Sequence, residues 1–431
     1  MTLTKDQELV VKFYNDIGNA FKGQLLDIQE GPQVNNFIYK PDENFTLTKA
    51  TKLAQLIGGR VRPDYNNKNV IFEIPKEVGQ MIFLNKLLQS KEFQTSKATL
   101  PVVLGTDTFG NTIIGDLHKF PHLLVCGRTG SGKSVFDQCI ITSLVQRFTP
   151  DECKLIIADP LGVDFGFWDD IPHLLTPVIK LDVDAIINAL KWVVSEMDRR
   201  FEQLQMLNAV NIEQYNEMVS QKRNVKVSLS NMPYIVIVID EIGDLMYAYR
   251  KEAEACVQKI AQKARAVGIH LIMATQRPDT TTLTGIIKTN FPARIAFKSR
   301  SDKDSMHLLG EKGAEHLLPF GDMLFSDSGR FPVRIHAAYI SDEELVKLTD
   351  KLRKQGKPKY ISDITDEADN VIDEELYEQA KEVVVRDKKP SISYIQRRLG
   401  IGYNKAASLI DKMEQDGIVS ALDTDNKRKV L

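Results

Sequence analysis

Eight consecutive residues, Gly127 to Ser134, read GRTGSGKS and fit the spacing G-x-x-x-x-G-K-[ST]. Such a spacing suits phosphate chemistry. Gly127, Gly130 and Gly132 let the backbone curl into a nest of amide groups, and a helix that starts there adds the positive end of its dipole. Lys133 can then neutralise the β- and γ-phosphates of a nucleotide, and Ser134 can offer its hydroxyl to Mg2+. Arg128, Thr129, Ser131 and Val135 complete this candidate nucleotide-binding stretch. A second group closes the apolar run YIVIVIDE, Tyr234 to Glu241. Its adjacent acids divide the labour: Asp240 suits the Mg2+ shell, and Glu241 suits orienting and deprotonating an attacking water. A third, ATQRP from Ala274 to Pro278, places Gln276 where an amide could sense a γ-phosphate, a weak signal on its own. ATP and Mg2+ are the ligands these groups require.

The elements that must hold them follow from periodicity. His122 to Val125 form an apolar run before the glycine loop, and Val135, Cys139, Ile140, Leu144 and Val145 recur behind it at helical spacing. From there strands and helices alternate: a strand at Leu155 to Ala158 ending in Asp159-Pro160, a long amphipathic helix from Asp184 to Leu207, the strand Tyr234 to Ile239, a helix from Glu252 to Val267, and a strand at His270 to Ala274. Strands apolar throughout are buried on both faces, which predicts a parallel α/β sheet of the P-loop NTPase kind.

The flanking segments read differently. Lys5 to Phe21 has helical spacing; Leu25 to Gln29, Gln33 to Tyr39 and Val70 to Ile74 read as strands, with a helix from Leu47 to Ile57 before Gly58-Gly59. Residues 1–99 are thus expected to form a small α+β module, and 100–346 the nucleotide-binding domain, entered through a hairpin of Pro101 to Leu104 and Thr112 to Gly115. Residues 347–373 are charged, carry Gly356 and Pro358, and read as a linker. In 374–431 the spacing predicts helices at Leu376 to Val385, from Ser391, and at Tyr403 to Gln415, then two short strands, Ile418 to Ala421 and Lys429 to Leu431. Three helices and a two-stranded wing describe a winged helix, whose third helix enters the DNA major groove.

Composition narrows the classes. Of 431 residues, 56 are Lys or Arg and 58 Asp or Glu, so any nucleic-acid surface must come from local clustering. From Lys381 to Leu431 there are 11 basic and 7 acidic residues, a local excess of 11 − 7 = +4. Cys126, Cys139, Cys153 and Cys256 lack metal-ligand spacing and sit in apolar surroundings, as buried thiols of a reducing compartment would. No apolar run approaches the ~20 residues of a membrane helix. Charges interrupt the opening MTLTKDQELVVKFY before a signal-peptide core can form, so a cytoplasmic location is expected.

At this point a resemblance becomes specific. HLLVCGRTGSGKSV, IPHLLTPVI (Ile171 to Ile179), ALKWVVSEMDRRF (Ala189 to Phe201), IVIDEIGDLM (Ile237 to Met246), QKARAVGIHLIMATQRP (Gln262 to Pro278), GDMLF (Gly321 to Phe325) and SISYIQRRLGIGYNKAASLIDKMEQDGIV (Ser391 to Val419) are similar, in order, to motifs of the FtsK/SpoIIIE family of double-stranded DNA translocases. The resemblance implies an alpha module, a RecA-like beta motor and a gamma winged helix, assembled as a homo-hexameric ring around duplex DNA. It assigns Lys133, Ser134, Asp240, Glu241 and Gln276 to the nucleotide site. Arg277 and Lys288 match basic pore residues, with Arg300 and Lys303 nearby, and Arg397, Asn404, Lys405 and Ser408 fall where the winged helix would meet DNA. An arginine finger from a neighbouring subunit is implied, with Arg294 and Arg300 as candidates. A site-specific recombinase is a further partner that the resemblance leaves open, through the winged helix. The chain departs from the family pattern at Leu161 in Asp159-Pro160-Leu161, at Met306 in Ser305-Met306, and at Ser408. Two other readings stay open: a conjugative or packaging DNA pump, and a DNA-binding regulator with a vestigial ATPase. The intact Lys133, Asp240 and Glu241 argue against the regulator.

Overall fold

The computed structural model describes residues 23–43, 45–55, 59–64, 68–221, 229–327, 331–365, 374–401, 403–421 and 428–431. The helix expected over Lys5 to Phe21 and the tip of the wing lie outside the described residues. In chain order the strands are β1 (Gln24–Glu30), β2 (Val34–Lys40), β3 (Arg60–Asp64), β4 (Asn69–Pro75), β5 (Pro101–Asp107), β6 (Thr112–Asp116), β7 (His122–Cys126), β8 (Cys153–Asp159), β9 (Ile179–Lys180), β10 (Tyr234–Ile239), β11 (Ile269–Thr275), β12 (Ala293–Phe297), β13 (Asp322–Asp327) and β14 (Val333–Ala337). They belong to two compact units, Met1–Phe148 with Ile272–Leu348, and Thr149–Leu271 with Thr349–Leu431.

The first unit holds a small antiparallel sheet in the order β1-β2-β4-β3. Central β2 and β4 are buried almost end to end and edge β1 is mostly exposed, as strand position dictates. Phe37, Tyr39, Val61, Phe72 and Ile74 pack with Ala50 and Ala54 of helix Leu47–Gln55 to form its core. Beside it runs a second sheet, β6-β5-β14-β13-β12-β7, with the end of β11 next to β7. Here the expectation of a parallel sheet needs correcting. β7 and β12 are parallel, but β12, β13, β14, β5 and β6 pair antiparallel in turn. The cause is local: β13 and β14 are joined by residues 328–332, too few for the crossover a parallel pair demands.

Buried charge ties the two sheets of this unit together. Glu73 on β4 accepts from Arg62 at 2.8 Å and lies 3.6 Å from Arg334 on β14, while Arg334 forks onto Asp322 of β13 at 3.0 and 2.6 Å. Glu73, Asp322 and Arg334 are almost wholly excluded from solvent. Burial pushes against ionisation of Asp322, yet the adjacent guanidinium overrides it and holds the carboxyl well below the usual carboxylate range.

In the second unit β10, β8 and β9 are parallel, in register from Tyr234↔Cys153 to Ile239↔Ala158 and then Ala158↔Ile179. Helix Val183–Leu207 starts where the Asp182 side chain accepts from the Ala185 amide at 2.8 Å. The helix expected from Glu252 begins earlier, at Gly243, runs to Lys263 with a break in helical geometry at Tyr249, and finishes as a 3-10 turn, Ala264–Val267. Helix Asp342–Arg353 continues past residue 347 into the charged segment read as a linker. Helices Glu374–Asp387, Ile392–Leu399 and Tyr403–Gln415 then pack around Tyr377, Val384, Ile395, Leu409, Ile410 and Met413, and Val419 bridges Val430 as the base of a wing. This is the expected winged helix.

Candidate nucleotide site and basic surfaces

The glycine loop leaves β7 at Cys126 and ends in helix Lys133–Arg147. Gly132 occupies the N-cap position at φ 104° and, having no side chain, contributes no cap of its own to the first amides of the helix. Gly130 also has positive φ, 75°. A Cβ on Gly127 would lie 2.5 Å from Ser131 Oγ and 2.6 Å from Phe297 Cβ, and one on Gly132 would lie 2.7 Å from the Gly321 nitrogen. The loop is thus shaped by its glycines: two by conformation, two by space. Lys133 is 4% exposed and Ser131 is buried, whereas Arg128, Thr129 and Gly130 face solvent and Ser134 and Val135 are half-buried.

Neighbouring strand ends fasten the loop. The Gly127 amide donates to Thr275 O at 3.2 Å and the Arg128 amide to Lys298 O at 3.1 Å. Thr129 Oγ1 donates to Gln276 Oε1 at 2.7 Å, which brings Gln276 against the loop. On the other side the Gly321 amide donates to Ser131 O at 2.8 Å and the Ala337 amide to Gly321 O at 2.7 Å. Lys298 is lowered by burial and by the nearby Arg128 charge, so a bound anion would relieve a crowded positive corner.

Asp240 and Glu241 directly follow β10 in the second unit, both buried. The Asp240 amide donates to Ala158 O at 3.0 Å, and Glu241 Oε1 accepts from the Gly243 amide at 2.8 Å, which fixes the carboxylate's orientation. Asp159, at the end of adjacent β8, serves its own loop: it accepts from the amides of Gly162, Asp164 and Phe165 at 2.8, 2.9 and 3.1 Å. The positive-ended amides, buried lysine and hydroxyl of the loop fit a nucleotide's phosphates, and in the second unit the buried carboxylate of Asp240 is a hard oxygen ligand of the type Mg2+ prefers.

The basic candidates separate by surroundings. Arg277, Arg300 and Lys303 are exposed. Lys288 is half-buried, with Nζ 3.5 Å from His307 Nδ1. Arg294 is half-buried and donates to the carbonyls of Phe291, Leu308 and Lys288. Arg397 pairs with Glu202 at 3.1 Å. Asn404, Lys405 and Ser408 lie on helix Tyr403–Gln415, but their side chains are outside those described. Sequence reasoning did not single out Lys259, Lys263, Lys389, Arg398 and Arg428. With Arg397 they line an open cleft of about 1090 Å3 in the second unit. Their signal lay in one helix carrying Lys259 and Lys263 four residues apart, but nothing in sequence spacing tells which distant cations meet it. Among the described residues no cluster of His, Cys, Asp and Glu could hold a metal by itself, and no helix is long and apolar enough to cross a membrane.

Comparison with known sequences bears on lineage, and comparison with solved structures on fold. The FtsK/SpoIIIE family profile matches residues 83–280, and the Ftsk gamma domain profile matches residues 372–431. A DNA translocase FtsK of Rickettsia prowazekii (strain Madrid E) is 40% identical over 470 aligned positions, covering 100% of this chain and 63% of that protein. Its counterpart from Rhizobium meliloti (strain 1021) is 40% identical over 454 positions, covering 95% of this chain and 51% of that one. The chain therefore spans between half and two thirds of the length of these relatives. Among solved structures, the monomer form of the pCW3 conjugation coupling protein TcpA with ATPgS superposes with a TM-score of 0.55 at 24% identity, over 80% of this chain and 97% of that one, a likeness of fold. The ordered motifs, the two profile matches and the alignment along the whole chain have one meaning: the chain belongs to the FtsK/SpoIIIE family.

Proposed function

We propose that this chain is the motor portion of an ATP-driven translocase that moves along double-stranded DNA. The observation that carries the reading is that a relative named DNA translocase FtsK aligns with the entire chain while Lys133, Asp240 and Glu241 are intact. Residues 1–99, 100–346 and 374–431 are taken as its alpha, beta and gamma parts, with 347–373 between them. The working form is a cytoplasmic homo-hexamer around a duplex, and a site-specific recombinase is a candidate partner of the winged helix.

In this reading the loop amides from Gly127 to Val135, with Lys133, hold the phosphates of ATP. Ser134 and Asp240 hold Mg2+, which when bound spreads the phosphates' negative charge. Glu241 takes a proton from water, whose oxygen forms the new bond to the γ-phosphorus as the bridging bond to ADP breaks. Gln276, already bonded to Thr129, senses whether that phosphate is present and passes the difference to the adjoining Arg277. Arg277, Lys288, Arg300 and Lys303 contact phosphates of the duplex without reading sequence, and Arg397, Asn404, Lys405 and Ser408 contact DNA from the winged helix. The test is ATP hydrolysis by purified protein with and without long duplex DNA. A rate raised by the duplex in the wild type and lost in Lys133→Ala supports the motor; a rate indifferent to DNA rejects it.

A further inference from the structure

The turn that pins the glycine loop from the β13 side carries an anomaly. Phe320 has φ 60°, in the left-handed region that a bulky side chain seldom adopts, and is 80% exposed. Both features cost free energy, and hydrogen bonds on either side maintain them. The next residue, Gly321, donates to Ser131 O and accepts from the Ala337 amide, while Asp322 Oδ2 accepts from the Leu318 amide at 2.8 Å. Asp322 in turn is clamped by Arg334. An aromatic ring is thus held out to solvent by a buried ionic anchor, on a turn whose neighbouring residue touches the phosphate loop.

Sheet topology says which end of a nucleotide would meet it. β7, which carries the loop, has β11 on one side and β12 then β13 on the other. Gln276, assigned to the γ-phosphate, follows β11. Phe320 precedes β13, on the opposite flank. The register places both at one edge of the sheet: Cys126 pairs with Ala296, and Phe297 with Met323, so antiparallel β13 begins where β7 ends. A triphosphate laid along the loop with its γ-phosphate toward Gln276 must send its ribose and base toward Phe320.

We propose that Phe320 is the base-binding residue of the nucleotide site, its ring stacking on the purine of ATP. This rests on the nucleotide reading above and deepens it. Stacking on an aromatic face is sequence-tolerant but requires a base, so it contributes affinity for a nucleotide and none for bare phosphates. Phe320 touches substrate without taking part in proton or phosphoryl transfer.

Isothermal titration with ATPγS and with inorganic tripolyphosphate, both with Mg2+, separates the possibilities. Phe320→Ala should weaken ATPγS binding roughly tenfold and leave tripolyphosphate binding at the wild-type level. Phe320→Asn, which accepts the left-handed conformation better than Ala, should do the same, and Phe320→Trp should retain ATPγS affinity. Unchanged ATPγS affinity in the Ala and Asn variants would overturn the proposal. So would an equal loss for both ligands, the mark of a disturbed loop, or a change in sedimentation without a change in binding, the mark of a contact between copies of the chain. Wild-type protein that bound neither ligand, or a Lys133→Ala variant that bound both normally, would instead refute the nucleotide site itself.

Discussion

Gly130 and Gly132 offer a paired experiment, because both have positive φ within one loop and only one is crowded. A Cβ on Gly130 meets nothing within 4 Å, so Gly130→Ala carries only the conformational cost of a left-handed alanine, about 1 kcal/mol. A Cβ on Gly132 would lie 2.7 Å from the Gly321 nitrogen and 3.0 Å from its Cα, both backbone atoms that cannot rotate away. Gly132→Ala must push the loop off the turn and strain the Gly321 to Ser131 hydrogen bond, adding about 1 kcal/mol for the bond and a comparable amount for the displaced backbone. The sum is about 3 kcal/mol against about 1 kcal/mol, and the difference of about 2 kcal/mol corresponds to roughly thirtyfold in affinity. Calorimetric titration with Mg-ATPγS should show Gly130→Ala within about fivefold of wild type and Gly132→Ala weaker by thirtyfold beyond that. Equal affinities for the two variants would refute the idea that contact with the Gly321 turn shapes the loop.

Asp322→Asn leaves Arg334 buried beside a neutral amide and should cost roughly 3–5 kcal/mol in urea unfolding. Because the folded carboxyl titrates below its unfolded value, the wild-type contribution is complete above the ordinary carboxylate pKa and should fade as pH drops below it; the variant should lack that fade. His122 is also shifted downward, here because burial disfavours its charged form. Burial lowers it from 6.5 to about 4, so between those values the unfolded chain binds more protons and stability should rise with pH, by up to roughly 3 kcal/mol; His122→Leu should flatten that slope. Removing residues 374–431 should lower DNA-site selectivity but preserve DNA-stimulated hydrolysis, and loss of hydrolysis in the truncated chain would contradict the division of labour proposed here.

Legibility from sequence followed the range of each interaction. The glycine loop, the strand ending in Asp240-Glu241 and the three winged-helix segments are set by local spacing and were readable from residues alone. β3 was not, since RVRPD carries two arginines, a proline and an aspartate. It is a strand because it lies at the edge of a sheet beside β4, where Arg62 reaches Glu73. The antiparallel half of the second sheet was hidden for a similar reason. IHAA and DMLF read as apolar runs of either sense, and only the short connection between β13 and β14 fixes their direction. In the site, the ATQRP stretch gives Gln276 only a weak local signal, because its tie to Thr129 spans 147 residues, beyond any spacing argument. The Asp322–Arg334 anchor and the outward Phe320 likewise exist only once distant segments meet.

Movement along DNA is the central claim, and displacement of a third strand from a triplex measures it most directly. With ATP and a long duplex track the wild-type protein should strip the third strand, Lys133→Ala should not, and removal of the third strand should stop when ATPγS replaces ATP. A Lys133→Ala protein that strips the strand as fast as wild type, or a wild type that never strips it while hydrolysing ATP, would contradict the account.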